Sequence, residues 1–436
     1  MDRRDFVKST AAVGSAGLIL GSFPLQAMVH SDVSDTIKIA LIGCGGRGTG
    51  AIIQALSTKQ NVKLVAMADA FADRMQESIT AIKKEITDNG MDASRFAVTP
   101  DTQFIGFDAY KKAMPLADVV ILATPPGFRP IHFEEAVNQG KQIFMEKPVA
   151  TDAVGIRRVL AAAAIAKQKK LNVVVGLQRH YQKVYQRWVE ALQGGAIGDI
   201  IASRVYWNDA GVWVRPRQPQ QTEMEYQMRN WYYFTWLCGD HICEQHIHNL
   251  DVGNWVKQGY PTSVKGMGGR QVRTGKEYGE IYDHFALEYE YADGSKMYSE
   301  CRHIKGCLNS VTEQFDGTAG TAPRPGLIQT RKGFTLMKYD DKMDPNPYQV
   351  EHDELFAAIA KNEYKFNDAE NGAKSTMTAI MGRMAAYSGQ LVEWDKALNS
   401  TINLQPPAYS WDAKPQSLPD KDGWYAVPIP GKTIAV

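Results

Sequence analysis

The chain has 436 residues, of which 44% are hydrophobic and 22% are charged, and its formal net charge is +1. This length exceeds that of one ordinary hydrophobic core, so we expect two domains. The near-neutral charge and the lack of a basic cluster argue against a nucleic-acid partner.

The first 30 residues are typical of a targeting segment. Arg3 and Arg4 precede a Gly/Ala-rich apolar run that ends at Phe23, and Gln26-Ala27 offers a processing point. The run is too short and too mild for a membrane span, so we expect none in the mature chain. A twin arginine ahead of such a run indicates a Tat export signal over 1–30, hence a periplasmic or otherwise exported protein. An uncleaved hydrophobic tail is the alternative.

A glycine-rich turn follows the first predicted strand. The β-branched run from Ile37 to Ile42 predicts a buried parallel strand, and a helical pattern begins shortly after the turn. The turn has the form G-x-G-x-x-G, in which the first glycine permits the tight turn, the second lets the backbone reach a pyrophosphate, and the third lets the helix pack on the strand. The expected cofactor-binding residues here are Gly43, Gly45, Gly46, Arg47 and Gly48.

A second predicted strand, VKLVAMAD, ends on Asp69, which lies 21 residues past Gly48. A carboxylate at about this spacing binds the hydroxyls of the adenosine ribose and would repel a 2′-phosphate, which favours NAD over NADP. A glycine turn that binds no nucleotide is the alternative.

Predicted helices and strands alternate up to about residue 178. Strands are expected at 117–126, 141–148 and 172–178, with an Ala-rich helix at 152–170. This alternation predicts a doubly wound parallel sheet, here an NAD-binding Rossmann domain over 35–178. Ligands bind beyond the carboxyl ends of such strands. The residues expected there are Thr124, Pro125, Glu146, Lys147 and Gln178.

The set GCGGRG, ATPP with His132, MEKP and EQHIHNLD resembles the Gfo/Idh/MocA family of sugar and cyclitol oxidoreductases. The resemblance extends from about Thr36 to about Val392. It implies an α/β protein in which an N-terminal Rossmann domain precedes a C-terminal α/β domain with a large, mostly antiparallel sheet. It also implies a carbohydrate or polyol substrate between that sheet and the nicotinamide, and a homo-oligomer.

The second half fits this expectation. The segment 200–209 reads as a strand, and 286–300 alternates as two strands around an Asp293-Gly294 turn. The polar segment 212–231 is predicted as a loop that borders a pocket or forms a surface excursion. We place the substrate-binding domain at 179–404 and a Pro-rich tail, which wraps the body or serves an interface, at 405–436.

The family pattern Asp-x-Gly-x-His-x-x-Asp can be placed on EQHIHNLD. Glu244 then takes the first Asp position, His246 the Gly, His248 the His and Asp251 the last Asp. The resemblance implies that Lys147 hydrogen-bonds the reacting hydroxyl and that His248 takes its proton, a role that suits an imidazole. Glu244 lies one helical turn before His248 and is the third catalytic candidate. Glu for Asp and His246 for Gly depart from the pattern and leave the substrate open.

A metal site is the rival interpretation of this stretch. On a helix His246 would point away from Glu244 and His248, and the spacing matches no standard zinc pattern, so we expect no metal. The five cysteines form no C-x-x-C pair; Cys301 and Cys307 are the nearest disulfide candidates, with connectivity left open.

Further side chains near the expected cleft could recognise a sugar by stacking and hydrogen bonding. These substrate candidates are Arg179, His180, Arg229, Trp231, Tyr232, His246 and Asp251.

The leading hypothesis is an exported NAD-dependent oxidoreductase acting on a secondary hydroxyl of a sugar, glycoside or cyclic polyol. In one version NAD is tightly bound and is recycled by a second carbohydrate. An NAD-dependent glycosidase that works by transient ring oxidation and elimination is the alternative. A binding or scaffold protein that keeps the fold ranks third.

Overall fold

The computed structural model describes residues 36–436, so the predicted export signal at 1–30 lies outside the described residues. Within 36–436, no helix is both long and apolar enough to cross a membrane. All five cysteines are free, so the Cys301–Cys307 candidate pair forms no disulfide; Cys301 is buried and Cys307 is exposed.

The first half forms a six-stranded parallel sheet in the order β3-β2-β1-β4-β5-β6. Its strands are β1 (Ile37–Ile42), β2 (Val62–Asp69), β3 (Gln103–Ile105), β4 (Val119–Leu122), β5 (Gln142–Met145) and β6 (Val173–Val175). The helices that follow them are α1 (Gly46–Leu56), α2 (Ala72–Asp88), α3 (Ala109–Ala113), α4 (Arg129–Asn138) and α5 (Ala153–Gln168). The predicted doubly wound sheet is confirmed.

The strands are shorter than the sequence predicted. β4 ends at Leu122 rather than near residue 126, because Pro125 and Pro126 have no N–H to donate to a neighbouring strand. The polar ends of these strands are thereby free to form the loops at the carboxyl edge of the sheet.

The second half forms a nine-stranded sheet in the order β14-β13-β12-β11-β7-β10-β9-β8-β15. β7 pairs in parallel with β10, and the other pairings are antiparallel, which confirms the mostly antiparallel sheet. The strands are β7 (Ile200–Asp209), β8 (Ser263–Gly269), β9 (His284–Glu290), β10 (Lys296–His303), β11 (Ser310–Gly317), β12 (Gly320–Arg324), β13 (Leu327–Thr330), β14 (Thr335–Lys338) and β15 (Val392–Glu393).

Helices cover the inner face of this sheet and return to the first one. They are α6 (Lys183–Gln193), α7 (Glu223–Arg229), α8 (Thr235–Cys238), α9 (His241–Glu244), α10 (Ile247–Lys257), α11 (Pro347–Ala360), α12 (Ala369–Ser388) and α13 (Trp394–Leu398). α12 is buried along most of its length and contacts α5, β6, β8 and α10, so it joins the two sheets. α11 packs against α1, the helix of the glycine turn.

The segment 212–231, predicted as a polar loop, contains the helix α7. Thr222 caps its start by accepting a hydrogen bond from the backbone N–H of Glu225, and the apolar residues Met224, Tyr226 and Met228 are buried. Met228 lines the large cavity at the carboxyl edge of the first sheet. A short capped helix within a polar stretch carries too few residues to show helical periodicity, which explains the missed helix.

The last 32 residues of the chain, 405–436, contain no assigned helix or strand and lie against the body. Trp411 packs against Phe71 and Phe107, with ring centroids 5.1 and 4.7 Å apart. Tyr425 packs against Phe234 at 5.0 Å. The tail therefore braces loops that follow β2 and β3.

Candidate active site

A cavity of about 490 Å³ lies where the carboxyl ends of β1, β2, β4, β5 and β6 face the second sheet. Its wall on the Rossmann side includes Gly43, Gly45, Gly46, Arg47, Asp69, Thr124, Pro125, Glu146, Lys147 and Gly176. Its opposite wall includes Trp207, Trp213, Arg215, Arg229, Trp231, Glu244, Gln245, His248 and Tyr348. The cavity joins the predicted cofactor residues to the predicted catalytic ones.

The glycine turn has the shape that the sequence predicted. Gly43 has a φ of +98°, and a Cβ there would lie 2.5 Å from the backbone nitrogen of Thr124. A Cβ at Gly48 would lie 1.9 Å from the carbonyl oxygen of Gly43, so that helix and strand meet closely. Next to Gly45 there is open space at the start of α1. Backbone N–H groups that face open space at a helix start fit a dinucleotide pyrophosphate.

Asp69 lines the cavity at the end of β2, where the adenosine ribose is expected. Its carboxylate accepts hydrogen bonds from the backbone N–H groups of Cys44, at 2.7 Å, and Phe71, at 2.8 Å. Burial raises the pKa of Asp69, while these two hydrogen bonds oppose the rise. Asp69 thus also braces the glycine turn, a role that its sequence position did not reveal.

A buried arginine ties the loops after β4 and β5 together. The Arg129 guanidinium donates to the carbonyl oxygen of Glu146 at 3.0 Å and to that of Thr124 at 2.6 Å. The ring of His132 contacts the Thr124 hydroxyl through Nδ1 at 3.1 Å. Burial lowers the pKa of Arg129 to about 10 and that of His132 to about 3. The two loops that carry cofactor candidates are therefore held together by Arg129 at the carboxyl edge of the first sheet.

Lys147 reaches across the cavity to the second half of the chain. Its Nζ donates to the backbone oxygen of Glu244 at 2.6 Å and to the Glu244 carboxylate at 3.1 Å. His248 lies on the same wall with 5% of its surface exposed, and its Nδ1 has no hydrogen-bond partner. The structure therefore brings together the three residues that the sequence proposed as catalytic.

The stretch 243–251 is not one continuous helix. Glu244 ends α9 and His248 lies in the first turn of α10, with Gln245 and His246 between the two helices. Glu244 and His248 nevertheless both face the cavity, whereas the His246 ring contacts the Ser299 hydroxyl through Nε2 at 2.8 Å. His246 therefore packs against the second sheet, and among residues 36–436 no three His, Cys, Asp or Glu side chains are placed to share a metal ion.

The electrostatic setting of the three residues supports proton transfer. Burial lowers the pKa of His248, and the positive charge of Lys147 lowers it further. The ring is therefore neutral at pH 7, with a lone pair available. Burial raises the pKa of Glu244, and the charge of Lys147 opposes that rise. A base with a free lone pair beside a lysine donor can accept a hydroxyl proton.

Several predicted substrate residues lie away from the cavity wall. Arg179 forms a buried ion pair with Glu313. His180 contacts Asp251 at 2.7 Å through Nε2, and Asp251 also accepts from Ser375 at 2.7 Å. The polar groups of these side chains are therefore paired with one another inside the second half of the chain. Of the predicted cofactor residues, Gly48 and Gln178 also lie off the wall. Of the predicted substrate residues, Arg229 and Trp231 lie on it.

Other wall residues were not found from the sequence. Trp207, near the end of β7, stacks toward His248 with ring centroids 5.9 Å apart. Tyr348, at the start of α11, lies beneath the Arg47 guanidinium at 5.0 Å. Trp207 lies at an inward position of the alternating strand β7, and this position could have indicated from the sequence that it lines the cavity. Nothing in the sequence near Tyr348 points to the cavity.

Comparison with known proteins agrees with this geometry. Residues 37–177 match the family model for the oxidoreductase family with an NAD-binding Rossmann fold, Gfo/Idh/MocA. An inositol 2-dehydrogenase of Serratia proteamaculans (strain 568) is 25% identical over 371 residues, which cover 82% of this chain and 96% of the relative.

Two solved structures share the fold over most of the chain. Aldose-aldose oxidoreductase from Caulobacter crescentus, complexed with glycerol, has a TM-score of 0.61 at 15% identity, covering 82% of this chain and 100% of that one. Scyllo-inositol dehydrogenase from Lactobacillus casei, with bound NAD(H) and scyllo-inositol, has a TM-score of 0.60 at 18% identity, covering 83% and 100%.

The fold, the glycine turn and the convergence of Lys147 with His248 define an NAD-dependent oxidoreductase. The match to the Gfo/Idh/MocA family model covers the Rossmann domain, residues 37–177.

Proposed function

We propose that this enzyme transfers a hydride between NAD(H) and a ring carbon that bears a secondary hydroxyl, in a cyclic polyol, a sugar or a glycoside. The observation that carries the proposal is the placement of Lys147, Glu244 and His248 on one cavity with the glycine turn and Asp69. The inositol 2-dehydrogenase relative, which aligns over nearly its whole length, supports a cyclic polyhydroxylated substrate.

The residues of the chain supply binding and proton transfer. Gly45, Gly46 and Asp69 would hold the pyrophosphate and the ribose of NAD, which supplies a hydride acceptor or donor when bound. Lys147 donates to the substrate hydroxyl in place of its present contact with Glu244. His248 takes the hydroxyl proton during oxidation and returns it during reduction.

Glycoside cleavage by transient ring oxidation is a second candidate. It is favoured by Glu244, a 9% exposed carboxyl on the cavity wall whose pKa is raised by burial. Such a group can act as an acid toward a departing glycosidic oxygen after a ring carbon has been oxidised. The exposed Trp213 and the half-buried Trp231 at the wall offer a stacking surface for an aglycone.

The test is a substrate panel of inositols, aldoses and aryl glycosides, assayed with and without added NAD. Net absorbance change at the nicotinamide band supports the dehydrogenase, and aglycone release without net NADH supports the glycosidase. Lys147→Ala and His248→Ala should abolish either activity, while Lys59→Ala and His284→Ala, outside the cavity, serve as matched controls. Catalysis that survives both active-site substitutions would refute both functions.

A further inference from the structure

A buried carboxyl with no hydrogen-bond partner lies behind the glycine turn. Glu351, on α11, has no exposed surface, and neither of its carboxylate oxygens has a hydrogen-bond partner. Burying a polar group without a partner is costly, so such a group in a packed interface calls for a physical explanation. The proposed chemistry at Lys147 and His248 does not use it.

The group that Glu351 faces is Arg47, the arginine of the glycine turn. One terminal nitrogen of Arg47 lies 3.5 Å from a Glu351 oxygen and also lacks a hydrogen-bond partner. The Nε of Arg47 is already paired with the Glu146 carboxylate, and the guanidinium lies over the Tyr348 ring. The other terminal nitrogen donates to the side-chain oxygen of Gln54 at 3.1 Å, so Arg47 is fixed from four sides, with 35% of its side chain exposed.

The charge balance around Glu351 is unfavourable for its ionised form. The titratable groups that face it are Arg47 from α1, Glu146 after β5, Asp368 before α12, Tyr181 after β6 and Tyr348 on its own helix. Arg47 supplies one positive charge, which Glu146 already neutralises. Burial, with the charge of Glu146 added to it, raises the pKa of Glu351 well above its usual range.

We propose that Glu351 positions Arg47 against the pyrophosphate of the dinucleotide, and that ionisation of Glu351 weakens nucleotide binding. Arg47 lies on the cavity wall beside Gly45 and Gly46, where the pyrophosphate fits. A neutral Glu351 does not compete with the ligand for the Arg47 guanidinium and supports the guanidinium by contact. An ionised Glu351 draws the guanidinium toward α11 and away from the pyrophosphate.

The direction of the pH dependence follows from linkage. Because the pyrophosphate competes with an ionised Glu351 for the Arg47 guanidinium, the carboxyl binds its proton more strongly in the complex than in the free protein. Nucleotide binding then takes up a proton, so affinity is full at low pH and is lost as the pH rises through the pKa of Glu351 in the free protein.

The experiment is a titration with NADH of purified protein from which bound nucleotide has been removed, followed by nicotinamide fluorescence, at pH values from 7 to 9.5. For wild type, we expect the Kd to rise at least about threefold over this range, with about tenfold per pH unit as the upper limit for one proton. Glu351→Gln, which mimics the protonated carboxyl, should match wild type at pH 7 and keep its Kd at higher pH. Glu354→Gln, on the exposed side of the same helix, should follow wild type.

Arg47→Ala separates positioning from a general structural role. It should weaken binding at all pH values and abolish the pH dependence, and adding Glu351→Gln to it should have no further effect. A Glu351→Gln profile that parallels wild type, or a pH dependence that persists in Arg47→Ala, would overturn the proposal. If Glu351→Gln does not fold, the proposal is tested by comparing the pH dependence of the Kd in wild type with that in Arg47→Ala. The readout is cofactor binding, so the outcome does not depend on which substrate the enzyme uses.

Discussion

His248 combines burial with a nearby positive charge. Both effects lower its pKa below the ordinary value of about 6.5. A base with a lowered pKa stays neutral, and so able to accept a proton, to a lower pH. We therefore expect the acid limb of kcat/KM for alcohol oxidation to lie below pH 6.5.

The measurement is a pH–rate profile of wild type in the oxidation direction. His248→Ala should lose about 10²- to 10⁴-fold in kcat, the range typical of a general base. An acid limb at or above pH 6.5 would contradict the assignment of His248 as the base.

His352, next to Glu351, is a buried histidine that affects the pH dependence of folding stability. It has no exposed surface, neither ring nitrogen has a hydrogen-bond partner, and it packs against Phe144 at 4.2 Å. Burial lowers its pKa to about 3. In the unfolded chain the ring binds a proton below about pH 6.5, so this residue costs stability as the pH falls.

We expect His352→Leu to remove that cost. Between pH 8 and pH 5, the free energy of unfolding of the variant should rise relative to wild type by about 2 kcal/mol, from 1.36 kcal/mol per pH unit over about 1.5 units. Urea unfolding at the two pH values measures the change. Phe356→Leu, which alters packing without a titratable group, should differ from wild type equally at both. Parallel curves for His352→Leu would contradict the prediction.

At the scale of elements, prediction succeeded where the information is local. The glycine turn, Asp69 and Lys147 each lie at a strand end, and their types and spacing specify their positions. The path of 243–251 was less predictable, because the break between α9 and α10 depends on packing against the second sheet. Arg229 and Asp73 lie 156 positions apart, so their contact leaves no pattern in the sequence.

That contact joins α7 to the start of α2, beside the expected adenosine site. Arg229 pairs with Asp73 at 2.9 Å, and its guanidinium lies over the Phe71 ring at 4.1 Å. Phe71 lines the cavity next to Asp69, and Trp411 of the tail packs on it as well. The loop that is expected to hold the ribose is therefore fixed by two segments from outside the Rossmann sheet.

Arg229→Ala should release this loop. The ion pair is partly exposed and contributes about 0.5 kcal/mol, and the cation–π contact contributes a similar amount. Their sum of about 1 kcal/mol corresponds to about fivefold faster NADH dissociation. Stopped-flow displacement measures the rate. Arg217→Ala is the matched control, because Arg217 makes an ion pair with Glu223 and lies over Tyr226 at 4.2 Å without lining the cavity. Equal rates in the two variants would contradict the prediction.

At the scale of the whole molecule, the cofactor site is assembled from distant parts of the chain. α11 supplies Tyr348 and Glu351 behind Arg47, and α12 joins the two sheets. The tail braces Phe71 and Phe107. A tail that wraps the body was one of two expectations for 405–436, but the particular contacts of the tail, α11 and α12 could not be predicted, because each depends on packing between segments with no local motif. The tail packs on the loops that carry Phe71 and Phe107 only in the fully folded chain.

The assembly of the site from distant segments suggests when NAD would be bound if the protein is exported, as Arg3 and Arg4 predict. A site that needs the folded chain acquires NAD most readily where NAD is abundant, and Tat is a route for folded proteins. We expect the wild-type protein in the periplasm of a Tat-competent bacterium, with NAD(H) bound after purification. Replacing Arg3 and Arg4 with lysine should keep it in the cytoplasm, as should a Tat-deficient host, whereas Arg187→Lys should leave export unchanged. Cell fractionation with nucleotide analysis of each fraction is the measurement. Periplasmic accumulation of the twin-lysine variant would contradict Tat export, and exported protein without nucleotide would contradict loading before export.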